Sequence, residues 1–181
     1  PGKLNIAGDV AGAIQWMKGV KAGNIGVAGN IAVIGGGNTA MDAARLAKRS
    51  GAEHVTLVYR RTRKYMPADE HELALALADG VTFAELAAPV KQADGVLTCE
   101  KMVLGKADAS GRRSPVGSGE FFHIPCDLVI SAVGEQVDDA LMAANGIELG
   151  KKGRPAFRTN VAGVYAARDA KRGPATVVEG I

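Results

Sequence analysis

A run of small and polar residues, Gly35-Gly36-Gly37-Asn38-Thr39-Ala40, has the chemistry to hold a diphosphate. It follows an apolar stretch, Ile31 to Ile34, and leads directly into helix-forming residues through Arg45. The spacing Gly35-x-Gly37-x-x-Ala40 gives each small residue a task. Gly35 can make the tight turn out of a strand. Gly37 has no Cβ to keep a pyrophosphate from the backbone, and Ala40 lets the helix lie close on the strand. The first N–H groups of such a helix lack intrahelical acceptors and, with the helix dipole, attract phosphate. Alone, the pattern also describes an ordinary strand-to-helix turn. Set between a strand and a helix, it predicts a dinucleotide site.

The next segment bears on which dinucleotide. Val55, Leu57 and Tyr59 alternate with Thr56 and Val58, so Glu53 to Tyr59 is read as the second strand. An NAD-selective site places an Asp or Glu at the end of that strand, on the ribose 2′-hydroxyl. Here the strand runs into Arg60-Arg61-Thr62-Arg63-Lys64, and Glu53 lies at the opposite end. Guanidinium groups bind phosphate through a fork of charge-assisted hydrogen bonds. Arg60 and Arg61 are therefore expected to hold a 2′-phosphate, which makes the dinucleotide NADP. A solvated basic loop is the alternative reading.

Other elements are read from periodicity. Ala13, Ile14, Met17 and Val20 recur at helical spacing, predicting a helix over Val10 to Val20. Asn38 to Ser50 is the phosphate-facing helix, with Ala40, Ala43, Ala44 and Ala47 forming a small-residue face and Gly51 ending it. Asp42 is assigned to the helix's first turn, where the dipole accounts for an acid. Pro67 is expected to open a further helix to about Ala78, carrying His71 in a solvated or capping role. From Val81 the period changes. Val81 to Leu86, Ala88 to Gln92, Val96 to Leu104 and Phe121 to Ile124 read as strands of an antiparallel meander, with Ala109 to Glu120 a polar loop. His123, between apolar residues, is expected in the core. Asp127 to Val133 reads as a buried strand ending at Gly134, at the sheet edge where open α/β sheets bind ligands. A short helix near Asp138 to Ala144 follows, then a strand from Gly163, a loop and a helix with Pro174 in its first turn. The predicted fold class is α/β: a Rossmann-like parallel sheet with an inserted antiparallel β-meander.

Composition narrows the function. The 181 residues are 47% hydrophobic and 23% charged, which suits one ordinary domain or one domain plus a piece of another. Aromatic residues make up only 4%, which argues against a base-stacking nucleic-acid surface. The net charge of +3 is less than the basic loop alone supplies, so no general nucleic-acid or membrane surface is called for. No apolar run is long enough to span a bilayer. Cys99 and Cys126 form no C-x-x-C and are too few for an iron–sulfur cluster. They are expected as buried, reduced thiols of a cytoplasmic protein. Beginning at Pro1 and stopping at Ile181 in mid-pattern, the chain is expected to be part of a longer one.

Three separated segments share a family resemblance. They are Ile34 to Arg45, Val58-Tyr-Arg-Arg-Thr62 with Met66-Pro67, and Gly163-Val-Tyr165 through Arg172-Gly-Pro-Ala-Thr-Val-Val-Glu-Gly-Ile181. Together they resemble the small subunit of NADPH-dependent glutamate synthase and the matching regions of dihydropyrimidine dehydrogenase and selenate reductase subunits. The resemblance covers almost the whole chain. It implies a flavoprotein with two dinucleotide domains, in which an NADPH domain is inserted into an FAD domain and passes hydride to the flavin. Residues 31–134 would form the NADPH domain. Residues 1–30 would be a connection or part of the FAD domain, and residues 135–181 a truncated part of it. Gly35 to Ala40 would surround the pyrophosphate, Arg60 and Arg61 the 2′-phosphate, and Ala132, Val133 and Gly134 the nicotinamide side. Asp169 matches the flavin-directed Asp of the family's Gly-Asp-Ala, but Arg168 stands where that glycine belongs. The resemblance thus implies NADP bound by this chain and FAD bound in the parent. Iron–sulfur or catalytic domains or subunits of the parent would be its partners.

Three functions fit to different degrees. An electron-input module needs two rings stacked at about 3–3.5 Å rather than an acid–base pair, and the chain offers no such pair. A short-chain dehydrogenase would need Tyr-x-x-x-Lys. Tyr59, Tyr65 and Tyr165 are followed four residues on by Arg63, Asp69 and Asp169, so that reading fails. A non-catalytic NADP-binding or docking module is the remaining alternative. The first is the expectation for the parent, with the 181 residues alone largely inactive.

Overall fold

The computed structural model describes residues 4–27, 29–107, 113–134, 137–150 and 153–173. These divide into a larger compact unit, within Lys3–Val133, and a smaller one from Gly134 onward. The larger unit is built on a five-stranded parallel sheet. Its strands are β1 (Val10–Gly12), β2 (Asn30–Ile34), β3 (His54–Tyr59), β4 (Thr82–Glu85) and β8 (Leu128–Ser131). Their spatial order is β1-β8-β2-β3-β4. A separate antiparallel sheet, ordered β5-β6-β7, comprises β5 (Ala87–Ala93), β6 (Val96–Ala107) and β7 (Arg113–Pro125).

The central strands are buried on both faces, as a parallel sheet requires, and alternation sends their side chains into two cores. Ile31, Val33, Val55, Leu57 and Ile130 point to one side. There they meet α1 (Ala13–Lys21), α2 (Asn38–Arg49) and α3 (Glu70–Ala78). Ala32, Ile34, Val58 and Val129 point to the other side, where Ala87, Leu97 and Cys99 of the antiparallel sheet meet them. The four alanines of α2 are wholly buried. Without long side chains between them, helix and sheet pack closely in one core.

Several expectations need correction. Val10–Gly12 is strand rather than helix, pairing in parallel with Val129–Ser131, and α1 starts directly behind it. Trp16 of α1 is buried in the helix-side core. Residues 82–85 belong to the parallel sheet beside β3, not to the meander. The meander's last two strands form a longer hairpin, with residues 113–120 in β7 rather than in a loop. His123 is exposed, its Nδ1 3.3 Å from Thr98 Oγ1 across the strand pair. Pro67 precedes α3, which begins at Glu70 with the Asp69 carboxylate accepting from His71 N. The cap is thus the Asp69 side chain, and His71 is exposed, in keeping with the solvated role among those expected.

The smaller unit contains α4 (Asp139–Ala144) and α5 (Arg168–Arg172). Asp138 caps α4 by accepting from Leu141 N at 2.9 Å. The expected strand from Gly163 is reduced to a single bridge between Arg158 and Tyr165. α5 lies within the expected loop, and the expected helix with Pro174 in its first turn falls outside the described residues. Phe157 and Tyr165 stack at a tilt, ring centroids 5.7 Å apart.

Candidate dinucleotide site

The carboxyl ends of the parallel strands gather the fingerprint residues of the larger unit. Gly35 leaves β2 with φ +152°, and its N–H donates to the Val58 carbonyl at 3.1 Å. A Cβ there would stand 2.5 Å from the carbonyl oxygen of Ala132. At Gly36 a Cβ would fall 2.5 Å from Cε2 of Tyr59. Gly37 differs: the nearest atom to its missing Cβ is Pro67 Cγ at 4.0 Å. The fold itself therefore demands glycine at 35 and 36, whereas at 37 the missing side chain leaves space. That space lies at the N-cap of α2, which no side chain caps. The two observations together fit a pyrophosphate lying against the backbone.

The rest of the turn is fastened to its neighbours. The Gly37 carbonyl accepts from Ala40 N at 2.9 Å, and the Gly36 carbonyl from Ala68 N at 2.9 Å. Asn38 Oδ1 accepts from Asp69 N at 3.4 Å. Asn38 is exposed and Thr39 half-buried, so their first-turn N–H groups lie at the accessible end of α2.

Arg60 directly follows β3 and is exposed, with no hydrogen bond or ion pair among the described residues. Arg61 is half-buried, and its Nε donates to the Arg113 carbonyl of β7 at 3.4 Å. Arg63 is engaged elsewhere: its N–H donates to Glu85 Oε2 at 2.8 Å and its guanidinium pairs with Glu70 at 2.9 Å. The basic loop thus contributes one uncommitted guanidinium, Arg60, and one lightly held, Arg61.

On the β8 side, Ala132 N donates to the Ile34 carbonyl at 2.8 Å, joining the end of β8 to the start of the glycine turn. Val133 is largely exposed. Ser131, at the end of β8, is buried, and its Oγ has no partner among the described residues. Gly134 opens the smaller unit with φ +110°. Asp169 also lies in that unit, exposed in the first turn of α5. Its neighbour Arg168 has φ +53°, the left-handed conformation in which glycine is at ease. The position that carries glycine in the Gly-Asp-Ala pattern thus keeps the glycine conformation while bearing an arginine.

Sequence reasoning did not single out Tyr59, Glu85 or Ser131. Tyr59 and Glu85 end neighbouring strands β3 and β4, and their pairing in register was the missing information. Asp42, expected in the first turn of α2, stands one turn further on. It borders a surface groove of about 490 Å³ between α1 and α2, lined also by Ile14, Lys18 and Arg45. That groove shares no lining residue with the glycine turn.

A charge cluster ties α2 to α3. Arg45 Nε bonds Asp79 Oδ2 at 2.9 Å and its Nη1 meets Glu72 at 3.3 Å, while Arg49 reaches Asp79 at 2.9 Å. Hydrogen bonds from Arg49 and Arg45 hold the Asp79 carboxyl below the usual aspartate range. The hydrogen bond that Arg45 donates to Asp79 raises the arginine in turn. Cys99 and Cys126 are both buried and free. Burial, reinforced by neighbouring Cys126, pushes the Cys99 thiol up to about 12. Cys126 is also raised by burial, and its Sγ donates to the Leu128 carbonyl at 3.3 Å. These are structural thiols, as expected from their spacing. No group of three or more His, Cys, Asp or Glu residues suited to a metal occurs among the described residues.

A parallel sheet, a glycine turn at its carboxyl edge and an uncapped helix behind it define a dinucleotide-binding α/β domain. The chain belongs to the pyridine nucleotide-disulphide oxidoreductase family, whose model matches residues 1–181. It is 38% identical over 188 residues to the putative oxidoreductase YgfK of Escherichia coli O157:H7, covering 98% of this chain and 18% of that protein. It is 42% identical over 170 residues to the glutamate synthase [NADPH] small chain of Azospirillum brasilense, covering 86% of this chain and 35% of that one. The chain therefore spans only a minor part of the relatives it matches. Among solved structures, Mycobacterium tuberculosis FprA in complex with NADPH superposes with a TM-score of 0.74 at 20% identity. The match covers 98% of this chain and 57% of FprA, and it shows the shared fold.

Proposed function

We propose that this chain is the NADPH-binding, electron-input module of a flavin-dependent oxidoreductase. The observation that carries the reading is the pairing of an open-faced Gly37 at the start of α2 with an uncommitted Arg60 just past β3. In this reading the N–H groups of Asn38 and Thr39 hold the pyrophosphate, flanked by Gly35, Gly36 and Ala40. Arg60 and Arg61 hold the 2′-phosphate, and Ala132 and Val133 border the nicotinamide. The resemblance alone assigns Gly134 and Asp169 their roles. The relative named for NADPH supports the choice of cofactor.

Bound NADPH would supply a hydride. The protein's part is to fix the nicotinamide and exclude competing water. FAD belongs to the parent in this reading. The 181 residues carry one glycine-rich dinucleotide turn, and Arg168 occupies the glycine position of the flavin-directed segment. Residues 135–181 would join the FAD domain of the longer protein, and iron–sulfur or catalytic domains or subunits would take the electrons onward. No helix among the described residues is long and apolar enough to cross a membrane. A cytoplasmic location accords with free, buried thiols.

Calorimetric titration with NADP⁺ and NAD⁺, on the native chain and on Arg60→Ala/Arg61→Ala, tests this reading. A preference for NADP⁺ that disappears in the double variant is expected. Equal affinity for both dinucleotides in the native chain would refute the 2′-phosphate assignment, and binding of neither would refute the module.

A further inference from the structure

We propose that Tyr59 positions the basic loop against the glycine turn and thereby sets selectivity for the 2′-phosphate, an inference that rests on the NADP-binding reading above. Tyr59 is the last residue of β3 and the immediate neighbour of Arg60. Its side chain makes two contacts in opposite directions. The ring edge occupies the place a side chain on Gly36 would need, so it is seated in the pyrophosphate turn itself. The hydroxyl donates to the Tyr65 carbonyl at 2.7 Å, at the far end of the loop that carries the arginines. With only 7% of its surface exposed, the residue forms a strut between the two phosphate-binding parts of the site.

The loop's other ties run elsewhere. The Arg61 carbonyl accepts from Leu86 N at 3.1 Å, and the Arg63 N–H donates to Glu85, so both fasten the loop toward β4. Ala68 N, bonded to the Gly36 carbonyl, fastens the segment after the loop. Among the described residues, the Tyr59 side chain contacts both the glycine turn and the loop end. Long cationic side chains bind phosphate well only when the backbone carrying them is already ordered, because ordering it on binding costs entropy. Loosening the strut should therefore weaken a ligand that reaches the loop and spare one that does not. NADP⁺ carries the 2′-phosphate, and NAD⁺ has nothing at that position.

The test is Tyr59→Phe, which keeps the ring on Gly36 and removes only the hydroxyl. It should be titrated with NADP⁺ and NAD⁺ in the full chain, alone and in the Arg60→Ala/Arg61→Ala background. The NADP⁺ dissociation constant should rise about fivefold to tenfold, the worth of one hydrogen bond, with NAD⁺ affinity unchanged. In the background lacking both arginines the tyrosine substitution should have no effect on NADP⁺, because the groups it positions are gone. Equal weakening of both dinucleotides, or an undiminished effect without the arginines, would overturn the proposal. A native chain that prefers NADP⁺, with that preference intact in Tyr59→Phe, removes the strut and leaves the NADP reading standing. A native chain without the preference removes both.

Discussion

The missing side chain of Gly35 is required by the carbonyl oxygen of Ala132, which a Cβ would approach to 2.5 Å. Turn and strand end are thus packed backbone to backbone, and the bond from Ala132 N to the Ile34 carbonyl joins them. The first and third glycines of the run consequently differ: the fold leaves no room for a side chain at Gly35 and leaves space for one at Gly37.

Substitution should separate them. Gly35→Ala meets both the collision and an unfavourable positive φ, so a loss of about 1–3 kcal/mol or more is expected in denaturant unfolding. Gly37→Ala has an ordinary φ of −98° and open space, and should cost less than about 1 kcal/mol as a changed N-cap. It should nevertheless abolish NADP⁺ binding by calorimetry, since its methyl group would occupy the approach of the pyrophosphate. Comparable stability losses in the two variants would refute this division.

Arg168 holds φ +53° with an exposed side chain. Relieving that conformation by Arg168→Gly should stabilise the smaller unit by about 1 kcal/mol, the usual cost of a left-handed L-residue. Hydrogen exchange of amides in residues 137–150 and 153–173 would report the gain as slower local opening. Unchanged or faster exchange would count against it.

The cluster joining α2 to α3 predicts an acid dependence. Asp79 is held below its usual range by Arg49 and Arg45. A carboxyl with a lowered folded-state pKa binds fewer protons in the native than in the unfolded protein. Its stabilisation is therefore present above the unfolded value and lost as pH falls through the folded one. Asp79→Asn should accordingly be less stable than the native chain at pH 7. The gap should begin to narrow below about pH 4 and close as pH falls through the lowered folded-state value, as followed by thermal unfolding at a series of pH values. A gap that stays constant to low pH would disprove the linkage.

The thiols supply a simple check of the second core. Cys99 and Cys126 are fully buried, and the Cys99 thiol is raised to about 12, so almost no thiolate exists at pH 8. Neither cysteine should react with a thiol-specific chromophoric disulfide until denaturant is added, when both should react. Cys99→Ser should destabilise by about 1–3 kcal/mol, by placing a hydroxyl without a partner among Leu97, Val58 and Ala32. Rapid labelling of the native chain would mean that the sheet-to-sheet core opens.

The features legible in the amino-acid sequence were local ones. The run Ile31 to Arg45 is strand, turn and helix because adjacent residues decide it: apolar alternation, glycines able to turn, and alanines at helical spacing. The basic loop after Tyr59 and the buried thiols were legible for the same reason. Tertiary structure decided whatever depends on partners far along the chain. Val10–Gly12 is three residues long, too short to carry a period, and becomes a strand only because Val129–Ser131 lies beside it. Residues 82–85 could equally have joined either sheet by their pattern, and pairing with β3 placed them in the parallel one. His123 alternates among apolar residues, yet its side of β7 is exposed together with Phe121 and Pro125. The two-way contact of Tyr59 belongs to the same class. Its ring and hydroxyl meet groups brought together by the turn of one strand and the loop of another, a juxtaposition that no spacing within the sequence encodes.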